Sequence, residues 1–134
     1  MASTWKKLTY FAFNLPNRPG ELARFTAQLR DAGIDLLGLW GYADGLDNPR
    51  ISCVPVDAPA FRVFMQKGTV AVEEGQTFYL SDANRAGALV ETLQRVADEG
   101  INIDTIECVA GGAEFGCFIW SAEADWAGLE RLLT

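Results

Sequence analysis

Two segments of the chain combine residue types that suit the binding of a small charged molecule. The pattern Asn-Arg-x-Gly occurs at residues 17–20 and again at 84–87, each time directly before apolar residues at helical spacing. The first N–H groups of a helix lack partners within the helix, and their partial positive charge attracts a carboxylate. Glycine leaves the backbone open to a ligand, arginine adds charge-assisted hydrogen bonds, and asparagine both donates and accepts. The pattern therefore favours a site for a zwitterion, although Asn, Pro and Gly are also ordinary structural residues at helix starts.

The residues needed for common kinds of catalysis are missing. The 134-residue chain has no histidine, which removes the usual nucleophile–base pairs, most catalytic zinc sites and the commonest general base. Its three cysteines show no C-x-x-C spacing, so neither a disulfide framework nor an iron–sulfur cluster is indicated. An enzyme would have to use Asp35, Glu21 or a cysteine without a histidine partner. We therefore expect no catalysis, no metal and no cofactor.

The overall charge argues against two classes of partner. Eleven basic and eighteen acidic residues give a formal net charge of −7. Binding to nucleic acid or to anionic lipid needs clustered Lys and Arg, so neither partner is expected. The chain has no apolar run near the ~20 residues that cross a bilayer, and residues 1–7 lack the apolar centre of a signal peptide. We expect a folded cytoplasmic protein.

The sequence contains two copies of one repeated unit. A shift of 67 residues places Phe11 on Phe78, and the segments Asn-Arg-x-Gly-x-Leu and Asp-x-Gly-Ile match without a gap. We therefore divide the chain into residues 1–74 and 75–134. Strands are predicted at 10–15, 35–42, 50–56 and 70–72, then at 77–80, 102–109 and 115–121. Helices are predicted after each matching loop and again at 59–67 and 125–133.

This order of elements predicts an α+β fold made of two tandem ferredoxin-like βαββαβ units. Each unit is expected to be an antiparallel sheet with helices on one face, and the second lacks its last strand. An open sheet edge has to be covered. Residues 4–8 or a second subunit are the two candidates for that cover.

Some residues have two interpretations. Glu73 and Glu74 are candidates for a carboxylate pair in acid/base work. Adjacent residues of an extended segment face opposite sides, however, so a solvated linker between repeats is the favoured interpretation. Cys108 and Cys117 would face each other if the hairpin turns tightly at residues 112–113, which would permit a redox pair, although small buried hydrophobes are the commoner role. Trp40 and Tyr42 are typical either of a pocket wall or of a core or interface.

The duplicated motifs resemble the ACT domain. The first copy reads N-R-P-G-E-L, an amphipathic helix, and then D-A-G-I-D-L; the second reads N-R-A-G-A-L and then D-E-G-I-N-I. The likeness covers nearly the whole chain, as expected for a stand-alone tandem pair. It implies a regulatory module that binds an amino acid at an interface between two such domains. It also implies a homodimer and a separate metabolic enzyme as partners.

The resemblance assigns ligand-binding residues by position. In the first repeat they are Asn14, Asn17, Arg18, Pro19, Gly20, Asp35 and Leu36; in the second they are Asn84, Arg85, Gly87, Asn102 and Ile103. Ala86 replaces the proline of the first copy, so the second loop is less constrained. Asp35 differs in charge from Asn102, so the two sites should not be equivalent.

The function expected from the sequence is the sensing of a small molecule without catalysis. The alternative is a ligand-free subunit for protein interaction or assembly on the same fold. The residues leave open which amino acid binds, whether both repeats bind one, and what is regulated.

Overall fold

The computed structural model describes residues 4–43 and 48–132. The first half contains β1 (Thr4–Asn14), α1 (Glu21–Asp31), β2 (Leu36–Tyr42), β3 (Arg50–Pro55) and α2 (Ala58–Gln66). The second half contains β4 (Glu73–Ala83), α3 (Ala88–Asp98), β5 (Thr105–Gly111), β6 (Glu114–Trp120), a 3₁₀ turn (Glu123–Asp125) and α4 (Trp126–Leu132). Most of the turn expected at 43–49 lies outside the described residues.

The chain forms two compact units whose limits differ from the repeat boundaries. One unit is Thr9–Gly75, and the other contains the chain up to Leu8 together with the chain from Gln76 onward. The N-terminal part of β1 therefore belongs with the second repeat. Trp5 packs there against two clusters of buried residues, one around Phe78 and the other around Leu80. This is the stretch of chain that the sequence offered as cover for the second repeat.

The fourth strand of the first repeat is not where the sequence placed it. Residues 70–72 are irregular, and β4 runs without a break from Glu73 to Ala83. Glu73 and Glu74 are thus strand residues rather than a linker. Their charges are tolerated there because Arg50 pairs with Glu73 and Arg62 pairs with Glu74.

The Thr9–Gly75 unit has its strands in the order β2-β3-β1, and both pairings are antiparallel. Alternate residues of β1 and β3 point inward, which brings Phe11 opposite Cys53 and Phe13 opposite Ile51. Phe61 of α2 covers them, with its ring centroid 4.6 Å from that of Phe11. This aromatic layer is buried and fixes α2 on the sheet.

The second unit repeats the arrangement with strands in the order β4-β6-β5, again antiparallel. Leu80 lies opposite Cys117, and α3 and α4 contribute Val96 and Leu129 to the buried core. The predicted hairpin is present, and it places Cys108 opposite Cys117. The chain thus has the α+β fold of two tandem ferredoxin-like units.

Glycines set the limits of the two repeated helices. Gly20 and Gly87 are the N-caps of α1 and α3, with φ of 86° and 85°, and neither helix start has a side-chain cap. Pro19 therefore precedes the helix instead of opening it. Gly33 and Gly100 follow the helix ends with φ of 72° and 74°, as the sequence predicted.

No helix among the described residues is long and apolar enough to cross a membrane.

Candidate functional site

The loop after β1 lies beside the end of β2. Arg50 of β3 is the register partner of both Asn14 and Tyr42, so the two parallel strands finish at the same edge of the sheet. The Leu15 N–H donates to the Pro49 carbonyl at 3.3 Å and holds the loop against the start of β3. This edge is therefore built from residues of three strands.

A cavity of about 330 Å³ opens at this edge. Its size is at the lower end of the range of about 300–1,000 Å³ that is usual for small-molecule pockets. Apolar residues and residues 41–43 form part of the wall, and Asn17, Arg18 and Glu21 supply its polar groups. The lining residues are Leu15, Pro16, Asn17, Arg18, Glu21, Leu22, Gly41, Tyr42, Ala43, Pro49 and Ile51.

Glu21 is the centre of a charged network at the start of α1. Arg18 donates to one carboxylate oxygen at 2.7 Å, and Arg24 donates to the other. The Glu21 side chain is only 11% exposed, whereas Arg18 and Arg24 are 67% and 60% exposed. Hydrogen bonding from Arg24, and then from Arg18, lowers the pKa of Glu21. The network holds one carboxylate between two cations and leaves one positive charge in excess.

The other predicted residues of this loop have different roles. The Asn14 amide donates to the carbonyls of Asn48 and Pro49, at 3.2 and 3.4 Å. Its amide nitrogen therefore holds the end of β1 to the residues just before β3. Asn17 lines the cavity. Pro19 is exposed, and a Cβ placed on Gly20 would meet no atom within 4 Å, so the backbone is open there.

Asp35 and Leu36 lie at the opposite end of the same unit. Leu36 pairs with Pro55, five residues along β3 from Arg50, a separation of about 17 Å at the rise of a strand. Asp35 is exposed, and its carbonyl accepts from the Val56 N–H at 3.0 Å. Leu36 packs against the aromatic core. Within one unit, these two residues do not join Asn17 and Arg18.

The matching loop of the second repeat is shorter. It spans four residues, 84–87, between β4 and α3, whereas the first spans six, 15–20, between β1 and α1. Asn84 donates from its backbone to the Ala113 carbonyl at 2.8 Å, the bond that Leu15 makes in the first repeat. Asn84 therefore extends the pairing of β4 with β6, as Leu15 extends that of β1 with β3.

The side chains of the second loop bond within their own unit. The Asn84 amide donates to the Gly112 carbonyl at 3.3 Å, and Arg85 pairs with Glu91 at 2.5 Å. Asn102 donates to Asp104 at 3.2 Å before β5 begins, and Ile103 packs against the buried cluster around Phe78. Gly87 has the same open backbone as Gly20. Asn102 and Ile103 precede β5, which starts at Thr105 rather than at the predicted residue 102.

The sequence interpretation of the binding site missed Glu21, Arg24 and Tyr42. A signal for the first two is present, because Arg18, Glu21 and Arg24 follow one another at a spacing of three, which places them on one side of a helix start. The sequence is also consistent with a core or interface role for Tyr42. Its place at the cavity follows from the pairing of β2 with β3.

The two ferredoxin-like units with glycine-bearing loops define a tandem ACT-domain fold, and solved structures of the same fold support this. Protein BT0572 from Bacteroides thetaiotaomicron is 22% identical, with a TM-score of 0.80 over 96% of this chain and 88% of that one. The ligand-free regulatory subunit of aspartate kinase from Thermus thermophilus is 17% identical, with a TM-score of 0.63 over 98% and 95% of the two chains. The corresponding subunit from Thermus flavus is 14% identical, with a TM-score of 0.64 over 99% and 95%. No protein-family model and no curated protein sequence matches the chain.

Proposed function

We propose that this protein is a non-catalytic regulatory module that binds an amino acid at the loop after β1. The cavity of about 330 Å³ beside Arg18 and Glu21 carries the proposal. A free amino acid has one carboxylate and one ammonium group at a short fixed distance. A cavity whose polar wall presents both signs of charge suits such a ligand better than it suits a simple anion.

The charges suggest how the ligand is held. Arg18 is two-thirds exposed, so its guanidinium can donate hydrogen bonds to a second carboxylate besides that of Glu21. Glu21 keeps its negative charge because Arg24 also bonds to it, and it attracts the ammonium group. The apolar wall at Leu22, Tyr42 and Ile51 receives the ligand's side chain. Asn17 offers its side-chain amide to the ligand, and Gly20 leaves the backbone beside the ligand unobstructed.

The regulatory part of the proposal rests on the fold. The aspartate kinase proteins named above are regulatory subunits, and likeness of fold is a weaker argument than the geometry of a site. On this reading, an occupied loop changes the contacts of the module with a second copy or with a separate enzyme.

Thermal unfolding in the presence of single amino acids tests the binding. A ligand at one hundred times its Kd should stabilise the protein by about 2.7 kcal/mol, and calorimetry then gives the affinity. Arg18→Ala should weaken binding at least about tenfold, the equivalent of ~1.4 kcal/mol. Arg30→Ala removes an exposed arginine at the far end of α1 and is the matched control. No shift with any amino acid, or equal affinity in Arg18→Ala, would contradict the proposal.

A second variant distinguishes the two loops. Arg85→Ala removes the arginine of the second loop, which pairs with Glu91. If the first loop alone binds, Arg85→Ala retains the wild-type affinity and the stoichiometry is one per chain. Two bound molecules per chain would place a site at each loop.

The ligand-free alternative is favoured by one observation. All seven residues of β5 are exposed, including Ile106 at 38% and Val109 at 73%. Exposed apolar residues on an edge strand suit association with another chain. A chain that is oligomeric in solution and unaffected by every amino acid would support this alternative.

A further inference from the structure

Cys108 and Cys117 face each other across the β5–β6 hairpin. They are direct register partners in an antiparallel pair, and such residues have Cα atoms about 4.5–5.5 Å apart. A disulfide joins cysteines whose Cα atoms are about 4.4–6.8 Å apart. The backbone separation of the two cysteines is therefore suitable for a bond between them.

The two thiols also interact. Burial raises the pKa of the Cys117 thiol, and a hydrogen bond with Cys108 raises it further. As direct register partners, the two cysteines also place their side chains on the same face of the sheet. Cys53, the third cysteine, lies opposite Phe11 on one side and Leu39 on the other, so no cysteine faces it.

The exposure of the pair is asymmetric. Cys108 is exposed on β5, whereas Cys117 on β6 is buried with Leu80 and Phe115. A dissolved reagent therefore reaches Cys108 first. Because β5 is the last strand in the hydrogen-bonded order and all its residues are exposed, the strand can adjust towards β6 without disturbing a packed layer.

We propose that Cys108 and Cys117 are a modification site that low-molecular-weight disulfides convert into a cross-strand disulfide. The Cys108 thiolate attacks one sulfur of oxidised glutathione, forms a mixed disulfide and releases one glutathione. Cys117 then loses its proton, and its sulfur attacks the Cys108 sulfur and releases the second glutathione. The protein loses two protons and two electrons, and oxidised glutathione takes them up to become two molecules of the thiol.

The product joins the exposed edge strand covalently to the buried strand beside it. This changes β5, the strand whose exposure favours association with another chain, whereas the residues that line the cavity at Arg18 belong to the other unit. The proposal is independent of amino-acid binding. If disulfide formation is not observed, the proposal of amino-acid binding is unaffected, and the reverse also holds.

Peptide mapping of the full chain tests the proposal. The protein is incubated with oxidised glutathione, its remaining thiols are alkylated in denaturant, and the chain is cut after glutamate under non-reducing conditions. Cleavage after Glu107 and Glu114 places the two cysteines on separate peptides, 108–114 and 115–123. Joined peptides without glutathione are the expected result. A stable glutathione adduct on Cys108, a Cys108–Cys108 dimer, or an unmodified pair would overturn the proposal.

Variants test the order of the two steps. Cys117→Ala should accumulate the mixed disulfide on Cys108 at least about tenfold over the wild type, because nothing resolves it. Cys108→Ser should leave Cys117 unmodified, since the buried thiol is not reached directly. Cys53→Ser is the matched control and should give the wild-type product. If Cys117 is modified as fast in Cys108→Ser as in the wild type, the proposed order is wrong.

Discussion

Arg62 and Glu74 form a two-point ion pair between α2 and the start of β4. The Arg62 Nε donates to one carboxylate oxygen at 3.0 Å, and a terminal guanidinium nitrogen donates to the other. The same guanidinium lies over the Phe11 ring, 5.9 Å from its centroid. One charged contact thus ties the strand, the helix and the aromatic core of the Thr9–Gly75 unit together.

Removing this carboxylate should change how stability depends on pH. Hydrogen bonding from Arg62 lowers the pKa of Glu74 below its usual 4.5. The folded state therefore favours the charged form, and the stabilisation is complete above pH 4.5 and is lost as the pH falls through the lowered pKa. Glu74→Gln should be less stable than the wild type near neutrality, and the two should converge in acid.

Thermal unfolding across a pH series measures this difference. Glu123→Gln replaces an exposed carboxylate in the 3₁₀ turn and is the control. Its stability should follow that of the wild type across the pH series. If Glu74→Gln loses as much stability in acid as near neutrality, the ion pair is not the source of that loss.

The two N-cap glycines should resist substitution. Gly20 and Gly87 have φ of 86° and 85°, where an L side chain strains its own backbone even though no neighbouring atom is within 4 Å. Gly20→Ala and Gly87→Ala should each cost about 1 kcal/mol of unfolding free energy. Asparagine should cost less, because it tolerates the left-handed region better.

Urea denaturation compares these variants with Gly111→Ala. Gly111 also has open space around its Cβ position, but its φ is outside the left-handed region. Its substitution should change stability by less than about 0.5 kcal/mol. Equal effects at Gly20 and Gly111 would mean that backbone strain is not what selects glycine at the helix start.

Trp5 should be needed for the stability of the unit that contains the second repeat. Its ring packs against the buried clusters around Phe78 and Leu80, while its buried indole N–H has no hydrogen-bond partner among the described residues. Trp5→Ala should cost about 2 kcal/mol through lost packing. Trp5→Phe keeps a ring and removes the unsatisfied donor, so it should stay within about 1 kcal/mol of the wild type.

Chemical denaturation of both variants beside Lys6→Ala checks this assignment. Lys6 is the exposed neighbour of Trp5 and should have little effect. A Trp5→Ala variant as stable as Lys6→Ala would argue that the N-terminal part of β1 does not support that unit.

Much of the fold could be predicted because local signals agree with one another. Gly33 and Gly100 follow the helix ends in both repeats, and the hairpin before β6 has the expected register. The strand predicted at 70–72 was wrong, and the strand instead includes Glu73 and Glu74, whose charges had favoured a solvated linker. Arg50 and Arg62 neutralise those charges, and both are distant in sequence.

The candidate site was predicted only in part. Asn17 and Arg18 line the cavity, whereas Asp35 precedes the opposite end of β2. The aligned repeats did not show that strand pairing continues further into the second loop. Pairing after β1 ends with the Leu15 N–H, whereas pairing after β4 continues to the Asn84 N–H.

The sequence by itself determined the two repeated helices, their glycine ends and the presence of Asn-Arg-x-Gly before each helix. These features depend on backbone conformations within a few residues, so residue type is sufficient to specify them. Only the tertiary structure decided that the N-terminal part of β1 belongs with the second repeat, and that Glu21 lies between two arginines at the edge of a cavity. Those outcomes depend on which segments, far apart in sequence, pack against each other and bury their surfaces. The spacing of residues along the chain does not specify that packing.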